Sequence, residues 1–185
     1  RLGYDIPLSL RRERPDLIHV QYTAPLFCPA PIVVTVHDVS YLEHPEHFTR
    51  CRVAQLKLTV KRTVRAAARI LTPSEFSRRS IIRAYGIDAE RVVVVHNAVS
   101  NTFRPVHQDT AAHWVRQKFG IATPFVLTVG DLQPRKNHLG LIRAFEDLIR
   151  HYPQLPHHLV MVGKETWFGS TIRRAAQRSS LAGRI

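Results

Sequence analysis

Two hydrophobic periods alternate along this chain. Short, nearly unbroken apolar runs have the pattern of buried strands. Between them lie segments in which apolar residues recur every three to four positions, the pattern of one-sided helices. Residues 16–20 predict a first strand, and residues 22–31 a Pro-rich loop. Residues 32–36 are a β-branched run ending in His37 and Asp38, and residues 41–48, with Pro45 inside, predict a loop. A long helix follows over 50–68, with Val53, Leu56, Val60, Val64 and Ala67 as its apolar stripe and Lys57, Lys61 and Arg65 as a basic stripe on another face. Residues 69–71 read as a short strand closed by Thr72 and Pro73. Ser74 caps a helix carrying Phe76, Ile81, Ile82 and Tyr85, and Gly86 stops it. Residues 92–95 are a valine strand ending in His96 and Asn97. Residues 101–111 lack a period and contain Pro105, as a linker would; a short helix over 112–119 then stops at Gly120.

The most informative stretch is 125–145. Residues 125–129 predict a buried parallel strand, Gly130 begins a tight loop, and Asn137 caps a helix whose stripe is Leu139, Ile142, Phe145 and Ile149. Arg135 and Lys136 thus stand just before a helix N-terminus, where free amides and the helix dipole favour an anion. These residues fit a phosphate cradle, and they equally fit an ordinary strand-to-helix loop with a solvated Arg-Lys pair. That helix runs to about Tyr152. Residues 159–162 form another strand, ending Gly163-Lys164-Glu165, and Ser170 caps a last helix through about Ser179. Strands alternating with helices predict a parallel α/β fold. Its right-handed crossovers place His37, Asp38, Ser74, His96, Asn97, Asp131, Lys164 and Glu165 on the carboxyl edges of two sheets, one on each side of the linker.

Composition narrows the partners. The formal net charge of +13 over 185 residues points to an anion: nucleic acid, acidic lipid or a phosphorylated substrate. Cys28 and Cys51 alone make no disulfide framework, which fits a reducing compartment, and no apolar run reaches the length of a membrane span. A nucleic-acid binder is disfavoured because the basic residues are scattered and no aromatic platform or recognition-helix motif stands out. Neither Gly-x-Ser-x-Gly nor Gly-x-Gly-x-x-Gly occurs, which disfavours a serine hydrolase and a dinucleotide oxidoreductase. His44-Pro45-Glu46-His47 resembles a metal site only superficially: no third ligand is evident, and a loop with two solvated histidines is the expectation, so no metal is predicted.

Several stretches, in order, carry a family resemblance: Pro15 to His19, Val34 to Asp38 continued by Tyr41 to Glu46, Thr72 to Ser77, Tyr85-Gly86-Ile87, Val92 to Asn97, Phe103-Arg104-Pro105, Val129 to Asn137 and Val162-Gly163-Lys164. Together they resemble the large retaining glycosyltransferase family of GT-B fold, the family 4 (group 1) type, in its bacterial mannosyl- and rhamnosyltransferase-like branch. The resemblance implies two Rossmann-like domains, both incomplete here. Residues 1–104 are the acceptor-side domain, 105–121 a linker with a short helix, and 122–185 the start of the nucleotide-sugar domain.

It further implies transfer of a sugar from a nucleotide-sugar donor to a saccharide or lipid-linked acceptor hydroxyl with retention, in polysaccharide or glycolipid biosynthesis. No cofactor or metal is implied. By position, Arg135 and Lys136 hold the donor diphosphate, Gly130 lets the backbone approach it, and His37 contacts the transferred sugar. Asp38, Ser74, Asn97, Asp131, Lys164 and Glu165 are further cleft-lining candidates. The implied location is cytoplasmic, with the Lys57, Lys61, Arg65 stripe able to rest on the anionic inner face of the membrane. A sugar-nucleotide epimerase on the same fold is the nearest rival.

There are departures from the family pattern. Asp131 stands where many relatives carry a second phosphate-binding Arg, and Ala98 where they have Gly. The paired-glutamate segment lies beyond Ile185, with neither Glu146 nor Glu165 replacing it, and the Gly-rich acceptor loop precedes Arg1. These residues alone are therefore expected to be inactive.

Overall fold

The computed structural model describes residues 5–185, so the first four residues of the domain expected over 1–104 lie outside it. The chain divides into two compact units, Arg1–Ser100 and Asn101–Ile185. The division falls a few residues before the expected boundary at 104.

The first unit begins with a helix the sequence pattern did not predict, α1 (Asp5–Glu13). Pro7 obscures its period, yet Pro sits without cost in a first turn, where its missing N–H has no partner to lose. Strands β1 (Ile18–Gln21), β2 (Ile32–Thr35), β3 (Arg69–Thr72) and β4 (Val92–Val94) form one parallel sheet in that order. Val20 stands against Val34, Val34 against Ile70, and Leu71 against Val93. Between β2 and β3 come the short α2 (Ser40–Glu43), a 3-10 turn over Pro45–His47 and the long α3 (Arg50–Ala66). The predicted loop over 41–48 is therefore corrected. Asp38 Oδ1 accepts bonds from the Ser40 amide (3.1 Å) and hydroxyl (2.8 Å), which starts α2, and Pro45 opens the 3-10 turn rather than preventing it.

The predicted stripe of α3 is the observed one from Leu56 onward, while Val53 is only half-buried and outside the core. Leu56, Val60, Val64 and Ala67 are buried against Val34, Val36, Ile70 and Ile81. The helix also buries Thr63, whose hydroxyl accepts from the Ala24 amide (2.9 Å) and donates to Thr59 O (2.9 Å). α4 (Glu75–Tyr85) is capped by Ser74, whose hydroxyl accepts from the Ser77 amide at 3.1 Å, and is stopped by Gly86 at φ 61°. Phe76, named with Ile81, Ile82 and Tyr85 among the apolar residues of this helix, is 68% exposed. It lies five residues from Ile81, roughly 140° around the helix, and Ser77 and Ser80 occupy the buried face instead.

Three arginines serve this architecture. Arg62 binds the carbonyls of Ala24, Pro25 and Leu26, fixing the Pro-rich loop. Arg91 binds those of Val64, Arg65 and Ala67 at the end of α3. Arg78 binds those of Val92 and Ala89.

The second unit holds α5 (Gln108–Phe119), β5 (Phe125–Val129), α6 (His138–His151), β6 (His158–Val162) and α7 (Gly169–Arg178). β5 and β6 pair in parallel, Leu127 against Val160. α5 starts four residues before the predicted 112, and Gly120 ends it at φ 71°. The core joins Ile142, Phe145 and Ile149 of α6 to Leu159 of β6 and Ile172 of α7. The expected burial of β5 is corrected: Leu127 is 53% and Val129 70% exposed, because β5 pairs only with β6 among the described residues and contributes nothing to that core. Ser170 does not cap α7. The helix starts one residue earlier, at Gly169, where a Cβ would fall 2.2 Å from Glu165 Cγ.

Candidate functional site

In the second unit the carboxyl ends of β5 and β6 continue side by side. The Gly130 amide donates to Val162 O and the Leu132 amide to Lys164 O, both at 2.9 Å. The Thr166 hydroxyl donates to Leu132 O at 2.6 Å. Gly163 makes this closeness possible: a Cβ there would lie 1.9 Å from Gly130 O. The chain then forms a 3-10 turn over Pro134–Lys136 and delivers Asn137 in the left-handed region, φ 52° and ψ 39°. Asn tolerates that conformation better than most residues. As predicted, Asn137 caps α6: its Oδ1 accepts from the Gly140 amide at 3.3 Å and its carbonyl from Leu141 at 3.0 Å. Gly140 belongs to the same device, because a Cβ there would sit 2.6 Å from the Asn137 side chain.

Arg135, Lys136 and Asp131 are all exposed around this helix mouth. The Lys136 stem lies across Gly130, its Cε 3.5 Å from where a Gly130 Cβ would be, which brings the side chain over the strand end. The structure thus brings together Gly130, Lys136 and the first amides of α6, with Arg135 adjacent. Such first-turn amides have no acceptor inside the helix, and with the dipole they carry about half a positive charge. Two cations beside that charge suit a diphosphate. Of the neighbouring strand-end residues, Lys164 is exposed. Glu165 is paired with the Arg173 guanidinium of α7, a surface ion pair that anchors its loop.

Sequence reasoning missed His138. It is the first residue of α6, only 2% exposed, and its Nδ1 is buried without a hydrogen-bond partner. Its place on the face shared with Ile142, Phe145 and Ile149 was the available signal.

In the first unit the carboxyl edge carries the other candidates. The His37 ring is half-buried and lies 5.8 Å from the Tyr22 ring, tilted by 51°. Ser74 is occupied as the cap of α4, and Asp38 by the Ser40 amide and hydroxyl at the start of α2, which gives both a structural role. His96 Nδ1 meets Pro73 O at 3.0 Å, and Asn97 beside it is exposed. Sheet order therefore lines up Tyr22, His37, Ser74 and His96 on successive strand ends.

His44 and His47 are solvated as expected, 61% and 30% exposed, although they stand at the two ends of a 3-10 turn rather than in an irregular loop. Glu46 lies between them as a third donor, and a backbone amide bond, aided by His44, holds its carboxyl below the usual range. A groove of about 640 Å³ lies between α5 and residues 121–125, beside the start of β5 and away from the strand-end loops. Among the described residues no helix is long and apolar enough to cross a membrane.

Residues 2–103 match the description of Glycosyltransferase Family 4. The chain is 30% identical over 154 residues to the O-antigen chain mannosyltransferase B of Escherichia coli, covering 83% of this chain and 40% of that protein. It is 28% identical over 166 residues to the D-inositol 3-phosphate glycosyltransferase of Nocardia farcinica, covering 84% of this chain and 34% of that protein. The crystal structure of Anabaena HepE in complex with UDP and glucose is similar in fold, with a TM-score of 0.66 and 22% identity, over 97% of this chain and 49% of that one. The chain therefore spans between a third and a half of the length of these relatives.

Proposed function

The chain belongs to glycosyltransferase family 4, and on that premise we propose that the whole protein moves a sugar from a nucleotide-sugar donor to an acceptor hydroxyl. The observation that carries the reading is the mouth of α6, where Lys136 lies over Gly130 and Arg135 stands beside the cap Asn137. Cleavage of the bond between the sugar and the diphosphate leaves negative charge growing on the departing phosphate. Fixed cations and amides there stabilise the transition state more than the bound donor. These groups supply the charge that a metal supplies elsewhere, so turnover proceeds without one.

His37, on a strand end of the first unit, contacts the transferred sugar, and configuration is retained. Likeness to an O-antigen mannosyltransferase supports a role in polysaccharide or glycolipid assembly. The exposed Lys57, Lys61, Arg65 stripe, with Leu58 74% exposed beside it, supports peripheral contact with an anionic cytoplasmic membrane face.

Steady-state kinetics of the whole protein test the central role. Lys136→Ala lowers kcat/KM for the donor about tenfold or more, a loss of at least ~1.4 kcal/mol in transition-state binding. Unchanged turnover would remove the phosphate role. Donor consumption that needs no acceptor would favour an epimerase on the same fold.

A further inference from the structure

His44, Glu46 and His47 gather three metal-ligating atoms on the connector between α2 and α3. The turn brings this about: the His47 amide donates to His44 O at 3.1 Å, which folds positions 44 and 47 toward each other. The two imidazoles lie with centroids 5.6 Å apart and planes 39° apart. Glu46 reaches between them, its Oε1 3.2 Å from His44 Nδ1 and 3.8 Å from His47 Nε2, and all three donors lie within 4.8 Å of one another. Ligands about 2.0–2.2 Å from a tetrahedral zinc stand roughly 3.4 Å from each other. Two of the separations here are near that value; the shorter is the hydrogen bond between His44 and Glu46, which a bound ion would replace.

We propose that His44, Glu46 and His47 form a surface site for a divalent transition ion of the Zn²⁺ class. Two imidazoles and one carboxylate suit Zn²⁺ and its neighbours, whereas Mg²⁺ and Ca²⁺ take oxygen ligands. The side chains are 30% to 62% exposed, so water completes the coordination. The ion is a clip: it ties His44, the C-cap of α2, to the turn that leads into the Thr49 cap of α3. α2 itself starts from Asp38, directly after His37. The clip therefore steadies the segment leaving that strand end, and it stands whether or not the transferase reading does.

Calorimetric titration of the full chain with Zn²⁺ alone, beside Mg²⁺, tests the site. Zn²⁺ binds one-to-one and raises Tm, while Mg²⁺ does neither. His44→Ala and His47→Ala each weaken Zn²⁺ binding by about tenfold or more and abolish the Tm rise, with Glu46→Gln in between. All three residues lie on the connector outside the buried core, and circular dichroism checks that each variant folds. Absence of Zn²⁺ binding overturns the proposal. So does an isotherm unchanged by both histidine variants, which would place the ion elsewhere, for example at His157 and His158.

Discussion

Replacing Gly163 by Ala introduces one methyl group at the point where the β5 and β6 loops touch. The added Cβ would sit 1.9 Å from Gly130 O and 2.6 Å from Gly130 C. An ordinary carbon–oxygen contact is about 3.3 Å or longer. The obstacle is backbone, so the strand ends must separate by more than an ångström, and the 2.9 Å bond from the Gly130 amide to Val162 O is lost or stretched. Overpacking of this kind costs about 1–3 kcal/mol, and one net hydrogen bond about 1 kcal/mol more. At roughly 4–8 °C per kcal/mol for a unit of this size, the summed cost of about 2–4 kcal/mol lowers Tm by about 8–32 °C. Trp114 and Trp167, the only two tryptophans, both lie in the second unit, so intrinsic fluorescence follows that unit's unfolding. Gly130→Ala is the control. Its Cβ would meet only the flexible Lys136 side chain, at 3.5 Å or more, and costs less than about 1 kcal/mol. A Gly163→Ala melting curve that overlays the wild type, or one matched by Gly130→Ala, would refute the proposed closeness of the two loops.

Three further outcomes follow from the same geometry. Asn137→Ala loses the cap and forces Ala into the left-handed region, costing about 2 kcal/mol, whereas Asn137→Gly keeps the backbone and costs under about 1 kcal/mol. Equal urea midpoints for the two variants would contradict the assigned conformation. The Tyr41 and Tyr85 hydroxyls are hydrogen-bonded to one another, and burial pushes both phenols above their ordinary pKa near 10. Because the folded values are raised, the stability they confer is complete below pH 10 and falls above it, by up to ~1.4 kcal/mol per pH unit per tyrosine. The fall in urea midpoint between pH 9 and 11 should shrink in the Tyr41→Phe/Tyr85→Phe double variant; an undiminished fall would mean that other groups cause it. Changing Lys57, Lys61 and Arg65 together to Glu abolishes co-sedimentation with anionic vesicles, and undiminished binding by that variant would exclude the stripe as the membrane face.

The parallel α/β fold was legible because local signals agreed with tertiary structure. Ser74 and Asn137 read as caps and are caps, Gly86 and Gly120 read as stops and adopt left-handed backbone, and the α3 stripe from Leu56 onward and the α6 stripe are buried where the period places them. The misses have two causes. Phe76 and the β5 residues are apolar yet exposed, since side-chain chemistry alone does not say whether a neighbour covers it. α1 was hidden by Pro7, and the turn at 45–47 by the assumption that Pro45 ends helical structure rather than opening it. At the candidate site, the strand-loop-helix pattern singled out Arg135, Lys136 and Gly130 and equally allowed an ordinary loop. The dependence on Gly163 and Gly140 was not legible, because it arises from approaches between atoms distant in the chain or folded back on it. Nor does a charge total separate arginines such as Arg62 and Arg91, which are bound to carbonyls, from the exposed pair at 135 and 136.

The most direct measurement is a crystal structure of the whole protein with an intact nucleotide sugar. A diphosphate oxygen is predicted within about 3 Å of the Lys136 ammonium, with the first amides of α6 and the Arg135 guanidinium completing the grip. A diphosphate bound elsewhere, with both side chains in open solvent, would contradict the account.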